Sequence, residues 1–338
     1  MIKTKEMIPI YCNSCMTEIR QTAIEFCTQC QVPLHHGCAN HCLECETILC
    51  DKCYGDNNYL CERCNPPVQN FKTIRRSHIE LFNTCPYALY LILVKGVEPP
   101  SNEYAQVGTL VHQVIDMISN GLYTYEQGQA EVVNEIQKRF HEHEKFETFK
   151  QTGAKSIEGF SKIMYDLGKD FLVEENIIFS LGDDLPQISC TLDRIDFVND
   201  EIHIADWKTG KPMSGQKLIT DLQAPLYIEA VHNRFDKYPK TFTFYYLAND
   251  KMKIYERTIE NGKVYYDVKS GRTSYRLDME EALHRTKDIL TKINNKQFNM
   301  PTEVHQYYCQ NMCWFYKSGI CASSSKEQWK VLKEKYTE

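Results

Sequence analysis

The chain has 338 residues, 42% hydrophobic and 25% charged, with a formal net charge of -6. These proportions exclude a collagen-like or low-complexity chain, and the acidic balance argues against indiscriminate polyanion binding. No run of about eighteen apolar residues and no apolar signal core near Met1 occur, which predicts a cytoplasmic protein without membrane contact.

Residues 1–64 are rich in cysteine. Of sixteen cysteines, eleven fall between Cys12 and Cys64, three between Cys309 and Cys321, and Cys85 and Cys190 stand apart. In a reducing compartment such numbers imply metal binding rather than disulfides. Five Cys-x2-Cys steps occur: Cys12/Cys15, Cys27/Cys30, Cys42/Cys45, Cys50/Cys53 and Cys61/Cys64. Each lets two thiolates hold one zinc ion at tetrahedral geometry. His35 with Cys38 makes a sixth pair, so the block has ligands for about three closed zinc sites. Which pairs share an ion stays open. Residues 12–53 loosely resemble a cross-brace finger of the PHD or RING kind, with Cys42/Cys45 extra. The block lacks a basic cluster, so a protein partner, DNA or the following domain are all open as its target. A block this small needs its metal to fold.

Asn65-Pro66-Pro67 breaks the chain, and residues 65–72 read as a linker. From Ser77, the spacing of Ile79, Phe82, Leu89, Tyr90 and Leu93 predicts helix. A second helix is predicted over 107–119, with Leu110, Val111, Val114, Ile115 and Ile118 facing inward, and more helix between 125 and 172. Strands are expected at 176–180, 187–198 and 201–207, with Asn199-Asp200 turning the last two into a hairpin. A helix near 215–235, strands near 241–247 and 251–258, and a long helix over 278–294 follow. A cysteine-bearing loop and a charged tail, 326–338, close the chain. The pattern predicts an α/β (α+β) domain over 73–325 behind a small zinc module.

Within ISCTLDRIDFVNDEIHIADWKTGK, Asp193 lies on the first strand, Asp206 near the end of the second, and Lys208 two residues on. Alternation puts Asp206 and Lys208 on one face, and the hairpin brings Asp193 across from them. Two carboxylates and a lysine suit phosphodiester cleavage. The carboxylates would hold Mg or Mn, which acidifies water and offsets charge building on the phosphate, while Lys208 orients the water or stabilises the transition state. Acid-x-Lys alone is equally an ordinary surface ion pair.

Asp193, twelve residues, then Asp206-Trp207-Lys208 resembles the core of the PD-(D/E)XK nucleases, in their RecB/AddB-type branch. SHIELFNTCPYALYL is similar to the opening helix of that branch, GTLVHQVID to its histidine-bearing helix, and Gln223-x3-Tyr227 to its Gln-x3-Tyr motif. The resemblance covers about residues 75–322 and implies a restriction-endonuclease-like core, a mixed central sheet flanked by helices. It implies that His112, Asp193, Asp206 and the Trp207 carbonyl ligate the Mg or Mn, and that Lys208 is catalytic. Gln223 and Tyr227 would position DNA or brace the site, and Glu174 or Glu175 would be a supporting carboxylate. By its own surroundings, His112 is equally a core histidine; Asp116, one turn on, could hold its second nitrogen. Where the branch often has glycine three residues before the first aspartate, this chain has Cys190, read as a core thiol.

Cys309, Cys313 and Cys321 offer three thiolates, with Cys85 the candidate fourth. This is similar to the iron–sulfur staple of AddB-type and CRISPR-associated members, whose cysteines hold a 4Fe-4S cluster. The spacing departs from the usual Cys-x2-Cys-x5-Cys, so zinc on four thiolates stays open. Lys72, Arg75 and Arg76 are candidate phosphate contacts or a solvated linker. The resemblance implies DNA as substrate, as single strands or duplex ends, in exonuclease mode, in recombination, repair or replication. A stand-alone nuclease fits a phage or mobile-element setting. No GxxxxGK[ST] loop occurs, so unwinding requires a helicase or recombination partner. A zinc-dependent adaptor with an inactive nuclease fold and an RNA-processing nuclease are the alternatives.

Overall fold

The computed structural model describes residues 24–27, 33–35, 39–41, 47–49, 71–164, 167–298, 306–318 and 321. The chain divides into two units, Met1–Asn70 with Ala88–Glu98, and Phe71–Tyr87 with Pro99–Glu338.

In the first unit, β1 (Ile24–Phe26) pairs antiparallel with β2 (Pro33–His35), and β3 (Asn40–His41) with β4 (Ile48–Leu49). Cys27, Leu34 and Leu49 are fully buried. Of the expected zinc ligands, Cys27 follows β1 and His35 ends β2. Cys12, Cys15, Cys30, Cys38, Cys42, Cys45, Cys50, Cys53, Cys61 and Cys64 lie outside the described residues, as does the tail 326–338.

The second unit starts earlier than the expected linker allows. The Phe71 ring meets Phe298 edge-on at 6.3 Å, and the Lys72 carbonyl accepts from Gln187 N at 2.9 Å. β5 (Thr73–Arg75) leads into α1 (Arg76–Thr84), and α2 (Pro86–Leu93) belongs to the first unit from Ala88 on. The sequence predicts one helix here. Cys85 instead leaves the helical region, with φ -157°, because the ring of the next residue, Pro86, crowds a helical conformation at Cys85.

α3 (Glu103–Ser119), α4 (Tyr125–Phe140) and α5 (Phe146–Ile163) form a helical layer. Asn102 caps α3 by accepting from Ala105 N at 2.8 Å, which starts that helix before the predicted 107. Val111, Val114, Ile136 and Phe160 of this layer share a core with Ala205 and Trp207. Gly159 allows the closest approach. A Cβ there would lie 2.2 Å from the Leu247 carbonyl oxygen.

The sheet comprises β5, β6 (Asp170–Phe179), β7 (Gln187–Val198), β8 (Glu201–Lys208), β9 (Thr241–Tyr246), β10 (Lys251–Glu260), β11 (Lys263–Ser270) and β12 (Thr273–Asp278). Its order is β12-β11-β10-β9-β8-β7-β5, with β6 also on β7. β5–β7 and β8–β9 are parallel and the other pairs antiparallel. Asn199 and Asp200 both take positive φ, 49° and 60°, as a tight hairpin turn between β7 and β8 requires. The parallel step from β8 to β9 needs a crossover, supplied by α6 (Lys217–Thr220) and α7 (Gln223–Phe235). The single helix expected over 215–235 is broken where Asp221 turns extended, ψ 136°. β11 and β12 were not anticipated, although Asn261-Gly262, both at positive φ, marks the β10–β11 turn. α8 (Met279–Asn294), capped by Asp278, α9 (Gln306–Asn311) and α10 (Trp314–Lys317) complete the described chain. Among the described residues no helix is long and apolar enough to cross a membrane.

Gly159→Ala is expected to destabilise this unit by about 1–3 kcal/mol, the usual cost of overpacking, because the clash is with backbone. A thermal melt that matches the parent protein would contradict the packing described.

Candidate active site

β7 is paired with β6 along most of its length, and on its other edge with β5 at 187–189 and β8 at 194–198, leaving 190–193 without a strand partner there. On one side the β7–β8 ladder ends at Arg194↔Ala205. On the other, β6 and β7 pair at Val173↔Arg194 and Glu175↔Leu192 and skip the residue between. That residue, Glu174, takes φ 49°, a left-handed conformation uncommon for any side chain but glycine. Past the end of the β7–β8 ladder, Trp207 N needs an acceptor, and Asp193 Oδ2 provides it at 2.6 Å. Asp193 Oδ1 lies 3.2 Å from His112 Nδ1. His112, Glu174 and Asp193 each bring a ligand atom within 4.8 Å of the others. They line a cleft of about 540 Å³ together with Gly108, Thr109, Gln113, Asp116 and Thr191.

Beside this triad stands a second set. Asp206 is 2% exposed. Its Oδ1 accepts from Gln223 Nε2 at 2.6 Å, and its Oδ2 lies 2.7 Å from Lys208 Nζ. Lys208 Nζ also donates to Gln223 Oε1 at 2.9 Å, so Gln223 holds both charged groups. The break between α6 and α7 puts Gln223 there: Asp221 Oδ1 accepts from Gln223 N at 2.9 Å and fixes the first turn of α7. Asp206 Oδ2 is buried and receives no well-directed hydrogen bond, despite its ion pair. The Lys208 ammonium is the cation that compensates this buried oxygen. The oxygen and imidazole donors of the two sets suit a hard divalent cation.

Burial pushes the Asp206 carboxyl above its ordinary range; the nearby Asp193 charge adds to this, and Lys208 opposes it. Burial likewise raises Glu174, with Asp193 adding to the effect. At His112, burial favours the neutral ring, but the charge and hydrogen bond of Asp193 outweigh it and hold the imidazole up to about 9. The partner of His112 is therefore Asp193. Asp116, the partner considered from sequence, instead accepts from Asn120 Nδ2 at 2.9 Å.

The remaining expected residues divide. Trp207 enters through its backbone N–H, while its ring is buried against Phe160 at 5.2 Å. Tyr227, one turn after Gln223, is 5% exposed and sits under the Arg76 guanidinium at 5.4 Å. Arg76 is also paired with Glu80 at 2.6 Å, so it turns inward, whereas Lys72 and Arg75 are exposed. The three basic residues do not form one exposed grip. Between the two glutamates considered, Glu174 joins the triad and Glu175 does not. A strand pattern alone cannot distinguish them, because the choice depends on the skipped pair. Cys190 is fully buried, and burial pushes its thiol up to about 12, too high to ionise near neutral pH.

Cys85, Cys309, Cys313 and Cys321 are all buried thiols. Tyr308 is pushed up to about 12 by burial and then by Cys313, Cys85 and Cys309, while Cys321 acts on Cys309 and Cys313, so the four lie in one neighbourhood. Sulfurs on one zinc ion stand about 3.8 Å apart, from a Zn–S distance near 2.3 Å. Among the described residues no cysteine triad lies within 4.8 Å of itself. Four thiolates suit zinc and an iron–sulfur cluster alike.

In the metal-free protein, NMR should find His112 titrating near 9, and Asp193→Asn should lower it, leaving burial opposed by the Asp206 charge without the Asp193 contact. The sign follows for stability. The pair contributes fully below pH 6.5 and loses that contribution as pH rises through about 9. A parent imidazole titrating below 6.5 would contradict the contact.

No curated protein matches the chain at a significant level. The PD-(D/E)XK nuclease superfamily profile matches residues 76–318, well over half of the chain. That span holds the mixed sheet, β5 excepted, flanked by helices in a restriction-endonuclease-like architecture, together with His112, Asp193, Asp206, Lys208 and Gln223. The chain belongs to the PD-(D/E)XK nuclease superfamily.

Proposed function

We propose that the protein is a Mg- or Mn-dependent deoxyribonuclease of the RecB/AddB type, acting as an exonuclease on single strands or DNA ends. The observation that carries this reading is the His112–Glu174–Asp193 triad, whose ligand atoms lie within 4.8 Å of one another, beside the buried Asp206–Lys208 pair.

His112, Asp193, Asp206 and the Trp207 carbonyl hold the ion, with Glu174 as a supporting carboxylate. A bound Mg or Mn ion supplies an acidified water and offsets charge on the phosphate. Asp193 positions His112 through Nδ1 and ties β7 to β8 through Trp207 N. Lys208, held between Asp206 and Gln223, presents a fixed positive charge where the phosphate gains negative charge in the transition state. Tyr227 braces Gln223 from the next turn. Cys85, Cys309, Cys313 and Cys321 hold a structural 4Fe-4S cluster, and the zinc module of residues 1–64 recruits a protein partner or DNA. A helicase or recombination partner supplies unwinding, in a phage or mobile-element setting.

Labelled single- and double-stranded DNA and RNA, each with Mg or Mn, test the reading. Single-stranded DNA is expected to be degraded from an end, and Lys208→Ala to lower the rate by about 10²–10³-fold. Equal rates for the two proteins would remove the catalytic assignment. Preference for RNA would favour an RNA-processing nuclease, and no cleavage of any substrate an adaptor with an inactive fold. For the cysteines, anaerobic purification should yield about four iron and four sulfide per chain. Zinc in their place would refute the cluster.

A further inference from the structure

The cleft holding the triad is lined by one face of α3: Ala105, Gly108, Thr109, His112, Gln113 and Asp116. At the start of the same helix stands Tyr104, which is 56% exposed. A large aromatic ring so exposed adds little to a core. Its edge-on contact with the buried Phe149, at 5.1 Å, holds it in place. Lys145 Nζ lies 5.4 Å from the ring centroid, over its face. Eight residues separate Tyr104 from His112, about 12 Å along the helix, or about three to four stacked nucleotides.

A rigid exposed ring with a cation over it, on the helix that lines a nuclease cleft, has the chemistry of a base-stacking platform. We propose that Tyr104 stacks on an unpaired base of the strand entering the cleft, and that Lys145 leaves the ring face to meet that nucleotide's phosphate. This inference rests on the nuclease reading above and specifies the substrate as single-stranded at this point. The flanking charge supports the restriction. Glu142 and Glu144 stand in the turn before α5, and Glu144 lies 3.7 Å from Lys145 Nζ. Those carboxylates repel the second phosphate backbone of a duplex, whereas a single strand brings one phosphate, which takes the place of Glu144 on Lys145. Stacking is also indifferent to base identity, which suits a degradative enzyme.

The test uses the full chain carrying Lys208→Ala to suppress cleavage. Binding of a single-stranded oligonucleotide containing 2-aminopurine is followed by anisotropy and by quenching of the probe. Adding Tyr104→Ala should weaken single-strand binding about five- to hundredfold and abolish the quenching at one probe position. Tyr104→Phe should preserve both, and binding of a blunt duplex should change less than about twofold. Lys145→Ala, a change at an exposed side chain, should weaken single-strand binding and lower its salt dependence by about one charge. Unchanged affinity in Tyr104→Ala, an equal loss in Tyr104→Phe, or an equal loss on duplex would each overturn the platform. Cleavage by the parent chain separates the two readings. If it degrades DNA while Tyr104→Ala binds normally, the platform alone fails. If it neither binds nor degrades any nucleic acid, the nuclease reading fails and takes the platform with it.

Discussion

The hydrogen bond from Trp207 N to Asp193 Oδ2 joins β7 to β8 just where their ladder stops. A splayed pair of strands leaves backbone donors without partners, and a buried donor in that state is costly. Asp193 resolves this with a side chain, so its carboxylate is fixed by the sheet rather than by a loop. The same position lacks a pairing partner on β6, where Glu174 leaves the ladder in a left-handed conformation. A skipped bridge on the β6 side and an unpaired stretch, residues 190–193, on the other edge thus meet at Asp193 and gather acidic groups there. Backbone strain of this kind, about 1–3 kcal/mol where a non-glycine residue is held at positive φ, persists only when its surroundings enforce it.

The charges gathered there are balanced unevenly. Lys208 neutralises Asp206, and Gln223 holds both in register, but Asp193 and Glu174 rely on His112 alone. Burial first, and the neighbouring carboxylates after it, raise Asp206 and Glu174, while Asp193 keeps a proton on His112. A divalent cation would relieve all three effects together, since it offsets the carboxylates and competes with the imidazole proton. The site is therefore arranged for a cation more than for its own metal-free state.

Much of this was legible in the sequence. The strands of β7 and β8, their Asn199-Asp200 turn and the convergence of Asp193, Asp206 and Lys208 follow from alternation and turn chemistry. The α3 stripe that carries His112 follows from helical periodicity. Other features depend on tertiary events that periodicity does not carry. The break at Asp221 that delivers Gln223 is invisible to periodicity, although Pro225, which fits a first helical turn but not a helix interior, marks a new helix start there. The choice of Glu174 over Glu175 depends on a skipped bridge. The inward turn of Arg76 depends on Glu80 and Tyr227, the latter far along the chain. The β10–β11 hairpin does carry a signal, Asn261-Gly262.

Diffraction from crystals soaked in Mn, with anomalous scattering to locate the ion, tests the central claim most directly. The account predicts a peak coordinated by Asp193, Asp206 and the His112 imidazole, at oxygen and nitrogen distances of about 2.0–2.3 Å. A fully loaded, active protein with no ion touching Asp193 or Asp206 would contradict it.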